Sequence, residues 1–210
     1  GALTIGTTDK VTALDPAAAY DNGSSTVWTQ CYAYLMNTSV GSEDGVPEPD
    51  LAETAEFTSD NVYTVTLKEG LTFANGNELT SEDVKHTFDR QLAIADPNGP
   101  SSLLGNLEKV EAVDELTVEF HLKEPGDQTF PYVLCSPAGP IVDAEVFPAD
   151  AVLSDAEIVD GNAFCGPYAI TSWKINELVT FEAFDGYKGL FGAPATASVS
   201  MSYYADQNNM

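Results

Sequence analysis

Two histidines, three cysteines and 33 Asp and Glu side chains are the groups of this 210-residue chain that could do chemistry. A zinc or nickel centre needs imidazole or thiolate ligands brought together. His86 and His121 are separated in sequence, and both fall on the predicted polar faces of their elements. That predicts two solvated imidazoles and no metal site. The loop Gly41–Asp50 carries Glu43, Asp44, Glu48 and Asp50 and could attract calcium. It lacks the Asp-x-[Asp/Asn]-x-[Asp/Asn]-Gly spacing that wraps oxygens around the ion, so it reads as a solvated loop.

Nucleophilic chemistry has no better support. There is no Gly-x-Ser-x-Gly elbow to expose a serine. Ser24-Ser25 and Ser101-Ser102 have no histidine near them in sequence. The cysteines include no Cys-x-x-Cys pair, and no Walker A or Gly-x-Gly-x-x-Gly loop is present to cradle a phosphate. With so many carboxylates a chance acidic pair is certain, so spacing cannot argue for a glycosidase. The reading is a non-enzyme, with no catalytic residue, no cofactor and no metal.

The charge is one-sided. Eight Lys and Arg leave a formal net charge of −25. Lys10, Lys68, Lys85, Arg90, Lys109, Lys123, Lys174 and Lys188 stand singly, so no basic patch is available to neutralise phosphates. Nucleic acid and anionic lipid surfaces are poor partners for such a chain, no nucleic-acid partner is expected, and the acidity reads as a solvated coat. No apolar run reaches the ~18–20 residues of a membrane helix. Hydrophobic residues at 43% are enough for a core.

The elements that must position these residues follow from periodicity. Leu3–Thr7 alternates as a strand. Ser24 or Ser25 is predicted to cap a helix running to about Met36, with Val27, Cys31 and Leu35 on one face and Cys31 a small buried hydrophobe. Val62–Lys68 alternates, Asn75-Gly76 marks a turn, and Thr80 caps a helix over Ser81–Ala95 that buries Val84, Phe88 and Leu92. Asp83 sits at its third position, close to a capping box. Asp96-Pro97-Asn98-Gly99-Pro100 stops the helix. A short helix is read over Ser101–Leu107 and another over Asp143–Asp150. Strands are read over Leu116–Lys123, Tyr168–Trp173, Leu178–Ala183 and Val199–Tyr204.

The stretch Tyr63-Thr-Val-Thr-Leu-Lys-Glu-Gly-Leu-Thr-Phe-Ala-Asn-Gly-Asn-Glu-Leu-Thr-Ser-Glu-Asp-Val84, continuing through Thr87-Phe88-Asp89-Arg90, resembles the signature region of the family 5 extracellular solute-binding proteins. These are the peptide/nickel-type binding components of ABC importers. Leu14-Asp15-Pro16, Pro49-Asp50-Leu51-Ala52, Gly166-Pro167-Tyr168 and Asp185-Gly186-Tyr187 fall in the family's order. The resemblance covers the whole chain but only the front of the family's length.

It implies an α/β fold of the periplasmic-binding-protein-like type II kind, present in part. Residues 1–40 and 165–210 would belong to the first lobe and residues 41–164 to an inserted α+β domain. The second lobe would be absent, and the chain would continue past Met210. The implied function is extracytoplasmic capture of a solute in an interlobe cleft, most commonly a peptide. A nickel chelate, an opine or a sugar is the alternative cargo, and a stand-alone non-transport binding domain the alternative role. The implied partners are that solute and a membrane permease, with the protein itself monomeric. The implied location is the periplasm or, lipid-anchored, the outer face of the membrane. No secretory signal is visible in the sequence, and the strand-like start after Gly1 is what a trimmed or mature form would be expected to show.

Position in the family implies solute contacts from Tyr20, Asp21, Ser24 and Ser25, from Leu103 or Leu104, and from Ser136, Pro137, Ala138 and Gly139. These three loops would gather on one exposed, partly apolar surface. A single lobe would then bind solute only weakly, because the ligand's other face stays hydrated. The family's chain path also implies a disulfide between Cys135 and Cys165, with Cys31 free; three reduced structural cysteines is the alternative.

Overall fold

The computed structural model describes residues 1–209. In chain order the elements begin with strand β1 (Ala2–Thr7), helix α1 (Asn22–Cys31) and the two-residue strands β2 (Met36–Asn37) and β3 (Glu48–Pro49). Strands β4 (Ala52–Ser59) and β5 (Val62–Leu67) and helix α2 (Ser81–Ile94) follow. A 3-10 turn (Ser101–Leu104) leads to strands β6 (Leu107–Ala112) and β7 (Thr117–Leu122) and to short helices α3 (Phe130–Val133) and α4 (Asp155–Asp160). Strands β8 (Tyr168–Lys174), β9 (Leu178–Ala183) and β10 (Ser198–Tyr203) follow, and a 3-10 turn (Gln207–Asn209) comes after them.

Two four-stranded sheets result. The first has the order β1-β10-β9-β8, with β1 parallel to β10 and the other pairs antiparallel. The second is antiparallel throughout, in the order β4-β5-β7-β6. On β5 and β7 the predicted alternation holds: Tyr63, Val65, Leu67, Val118, Phe120 and Leu122 face a core, and their neighbours face out. Edge strands β4 and β6 were not read from the sequence, because their outward Glu residues mask the alternation.

Helix α1 is capped by Asp21, whose carboxylate accepts from the Ser24 amide at 2.8 Å, rather than by Ser24 or Ser25. It ends at Cys31, short of the expected Met36. Tyr32, Ala33, Tyr34, Leu35 and Met36 are all buried. A helix packed on one side cannot bury five successive side chains; an extended segment between two layers can. Its backbone pairs accordingly, with Asp50 N–H donating to Leu35 O, Leu51 N–H to Tyr34 O and Ile141 N–H to Ala33 O. Gly166 lies against this segment, where a Cβ would come within 2.8 Å of three backbone atoms of residues 30–32.

Helix α2 has the full capping box between Thr80 and Asp83. Val84 and Phe88 are buried, but Leu92 is 38% exposed. Steps of four residues advance about 40° beyond a full turn, so Leu92 is rotated roughly 80° from Val84. Gln91, seven residues after Val84, takes the buried position instead. Residues 143–150 form hydrogen-bonded turns, not a helix: Asp143 accepts from the Glu145, Val146 and Phe147 amides. The helix lies further on, at α4, where Ser154 and Glu157 make a second capping box.

Among the described residues the buried hydrophobic side chains form two cores. One lies under the second sheet, where Phe88 meets Phe120 edge-on at 5.0 Å, and also takes in Ala33, Leu35 and Met36. The other joins α1 and the first sheet to Val142, Phe147, Ile158 and Phe164. Buried polar hubs tie the segments together. Arg90 donates to both oxygens of Asp15, at 2.8 and 2.5 Å, and to the Pro148 and Ala151 carbonyls. Asp50 accepts from the Tyr187 hydroxyl at 2.6 Å and from Leu190 N–H. The expectation of a solvated Gly41–Asp50 loop fails at Asp50, which is buried.

Candidate functional site

The loop leading into α1 is built around Ser24. Its hydroxyl donates to Asp21 and accepts from the Thr12 amide at 2.9 Å, stitching residues 12 and 13 to the helix start. Ser24 is buried, and these bonds engage its hydroxyl. Ser25 is half-buried. Tyr20 projects, 53% exposed. Tyr20 and Asp21 line an open hollow of about 220 Å³ with Thr12, Ala19 and Asn98. Asn98 belongs to the stop after α2, whose Gly99 packs against the Ala17 carbonyl.

Leu104 is buried in the core under the second sheet and Leu103 packs partly against it. In the third loop, the Ser136 hydroxyl donates to Val133 O at 2.5 Å and accepts from the Ala138 amide. Pro137 is half-buried, while Ala138 and Gly139 are buried. Leu104, Ala138 and Gly139 are thus covered by the rest of the chain, while Leu103, Ser136 and Pro137 keep some exposure. The hollow of Tyr20 and Asp21 includes neither Leu103 nor Ser136–Gly139.

An apolar surface occurs elsewhere. A hollow of about 490 Å³ is lined by Gln30, Asn37, Val40, Pro167, Tyr168 and the run Phe191–Ala195. It adjoins, through Gln30 and Tyr168, a second of about 290 Å³ over Leu3, Ile5, Val199 and Met201 of the first sheet. Sequence reasoning missed both. The Gly-Ala-Pro run at 192–194 is a visible loop signal, but nothing in the sequence places it against α1.

The three cysteines are free, which corrects the Cys135–Cys165 disulfide. The Cys165 thiol donates to Ile141 O and accepts from Ala33 N–H, while Cys135, just past α3, donates to Pro131 O. Burial pushes the Cys31 and Cys165 thiols well up and Cys135 to about 11, so all are protonated at neutral pH. The histidines are less solvated than expected. His86 is hydrogen-bonded to the Phe147 carbonyl at 2.8 Å, and His121 lies between Glu111 and Glu119.

The structure thus has two four-stranded sheets, buried polar hubs at Asp15–Arg90 and Asp50–Tyr187, and open hollows on its surface. Residues 46–210 match the family model of the bacterial extracellular solute-binding proteins, family 5 (middle region), and the chain belongs to that family. The probable D,D-dipeptide-binding periplasmic protein DdpA of Escherichia coli (strain K12) is 33% identical over 177 residues, covering 82% of this chain and 34% of its own. The glutathione-binding protein GsiB of the same strain is 31% identical over 198 residues, covering 94% and 37%. Among solved structures, the ABC transporter substrate-binding protein CtaP of Listeria monocytogenes superposes with a TM-score of 0.79 at 30% identity, over 100% of this chain and 41% of that one. The fold is thus the α/β binding-protein fold in part, and the chain spans about a third of the length of these curated relatives. Among the described residues no helix is long and apolar enough to cross a membrane.

Proposed function

We propose that the protein works outside the cytoplasm as the solute-binding component of an ABC importer, and that its solute is a peptide. The observation that carries this reading is the family match over residues 46–210, together with relatives named for a D,D-dipeptide and for glutathione, itself a peptide. The first sheet draws on residues 2–7 and 168–203 alone. This supports assigning residues 1–40 and 165–210 to one lobe and 41–164 to an inserted domain, although Val142–Phe164 shares its core with the first sheet. Tyr20, with its exposed ring, is the residue of this chain best suited to meet solute, beside Asp21, Ser25, Leu103, Ser136 and Pro137.

Such a receptor needs no nucleophile. It needs differential contact with solute in its closed state. The partner is a membrane permease, the protein acts as a monomer, and it does no chemistry on its cargo. Native mass spectrometry of the full-length protein purified from its own compartment tests the reading. A peptide-mass adduct, and calorimetric binding of short peptides that weakens on Tyr20→Ala, is expected. A non-peptide adduct overturns the cargo; peptide binding indifferent to Tyr20 overturns the site.

A further inference from the structure

On the outer face of the second sheet, the β6–β7 register sets Lys109 opposite His121 and Glu111 opposite Glu119. All four side chains share the face turned away from Val110, Val118 and Phe120. Two carboxylates placed directly opposite one another repel unless a cation lies between them. Here both turn one oxygen onto the same imidazole nitrogen. His121 Nε2 is 3.0 Å from Glu119 Oε2 and 3.2 Å from Glu111 Oε2. That nitrogen carries one proton at most, so the two carboxylates share at best one bifurcated hydrogen bond, weaker to each than a linear one. Lys109 holds the other oxygen of Glu111, leaving Oε2 free to face the imidazole.

We propose that Glu111, Glu119 and His121 form a binding site for one borderline divalent metal ion such as Zn²⁺ or Co²⁺, outside the solute-binding surface. The ligand atoms all lie within 4.8 Å of one another. Two ligand atoms each about 2.0–2.2 Å from a metal, at the angles of octahedral or tetrahedral coordination, are about 2.8–3.6 Å apart. The two nitrogen–oxygen distances match that spacing. One imidazole and two carboxylates suit a first-row ion better than calcium or magnesium, which prefer oxygen alone. The ladder supplies rigidity. Glu119 and His121 are held two residues apart on a central strand, and His121 is only 19% exposed against 33% for Glu119 and 46% for Glu111. Waters would fill the remaining positions, and the metal would take the Nε2 lone pair of a ring protonated at Nδ1: a neutral Nε2–H ring shifts its proton to Nδ1 through solvent, and an imidazolium gives its Nε2 proton to solvent.

Calorimetric titration of the protein with ZnCl₂, in millimolar MgCl₂ to occupy scattered carboxylates, tests this. One Zn²⁺ per chain is expected, with affinity lost by at least about tenfold in His121→Gln and in Glu119→Gln. His86→Gln, on helix α2 and outside the cluster, should bind as the parent does. Circular dichroism of each variant checks folding, and amide shifts on adding Zn²⁺ to the unaltered protein should centre on residues 109–111 and 119–121. The absence of one-to-one binding above the Mg²⁺ background overturns the site. So does binding that survives His121→Gln, or shifts centred elsewhere.

Discussion

Arg90→Met is the sharpest probe of how this scaffold holds together. The guanidinium is buried, stacks 5.0 Å from the Phe147 ring and donates to both oxygens of Asp15 and to two carbonyls of the 148–151 segment. Asp15 is fully buried and also accepts from the Ala17 and Leu153 amides. Methionine keeps most of the volume and the contact with Phe147, but leaves the Asp15 charge without its counterion. Breaking a buried pair in this way costs about 3–5 kcal/mol. For a chain of this size that lowers the melting temperature by roughly 6–20 °C, at about 2–4 °C per kcal/mol. Urea unfolding followed by circular dichroism reads the loss as a lower midpoint with an unchanged slope. The double variant Asp15→Asn/Arg90→Met removes both charges, so its loss should fall short of the sum of the singles by about 0.5–3 kcal/mol. A loss below about 1 kcal/mol in Arg90→Met, or strict additivity in the double variant, refutes the hub.

Phe88→Ala should cost about 3–5 kcal/mol in the same urea assay, because it empties a fully buried site against Phe120. Burial raises the Asp50 carboxyl above its ordinary 3.8, against hydrogen bonds from Tyr187 and Leu190 that lower it. Between the ordinary and the raised value the folded chain holds a proton that the unfolded chain has lost, so this group's contribution to stability falls as pH rises through that window. Asp50→Asn should flatten that component of the pH profile just above pH 3.8; an unchanged difference profile between parent and variant counts against it. The three thiols should react slowly with a disulfide reagent in the native protein and all at once in denaturant, and non-reducing peptide mapping should find no Cys135–Cys165 link. With a net charge of −25, the melting temperature should rise as NaCl goes from low to near-molar concentration, since screening relieves self-repulsion. A flat or falling curve would show that the acidic coat costs the fold nothing.

What could be read from the sequence divides along a physical line. Elements specified by neighbours a few residues apart were legible: the Thr80–Asp83 cap, the alternation of β5 and β7, and strand β9 at Leu178–Ala183. Errors arose where a distant segment decided the outcome. Tyr32–Met36 continues a plausible helical stripe, yet it is extended because strands and loops from residues 50 and 141 claim its backbone. Asp15 and Asp50 were visible as motif positions and read only as loop residues, since neither Arg90 nor Tyr187 is near them in sequence. The candidate solute loops show the same split: their order along the chain was legible, but not which hydroxyls and side chains the fold consumes, as at Ser24, Leu104 and Ala138. His121 is the strongest case. Its strand face was predicted correctly, and from that face alone a solvated imidazole follows. Only the β6–β7 register brings Glu111 across to it, and a slip of one residue would turn that carboxylate to the other face and dissolve the cluster. Chemistry that depends on register is therefore invisible in spacing, however many carboxylates a chain carries, and becomes readable when the ladder is known.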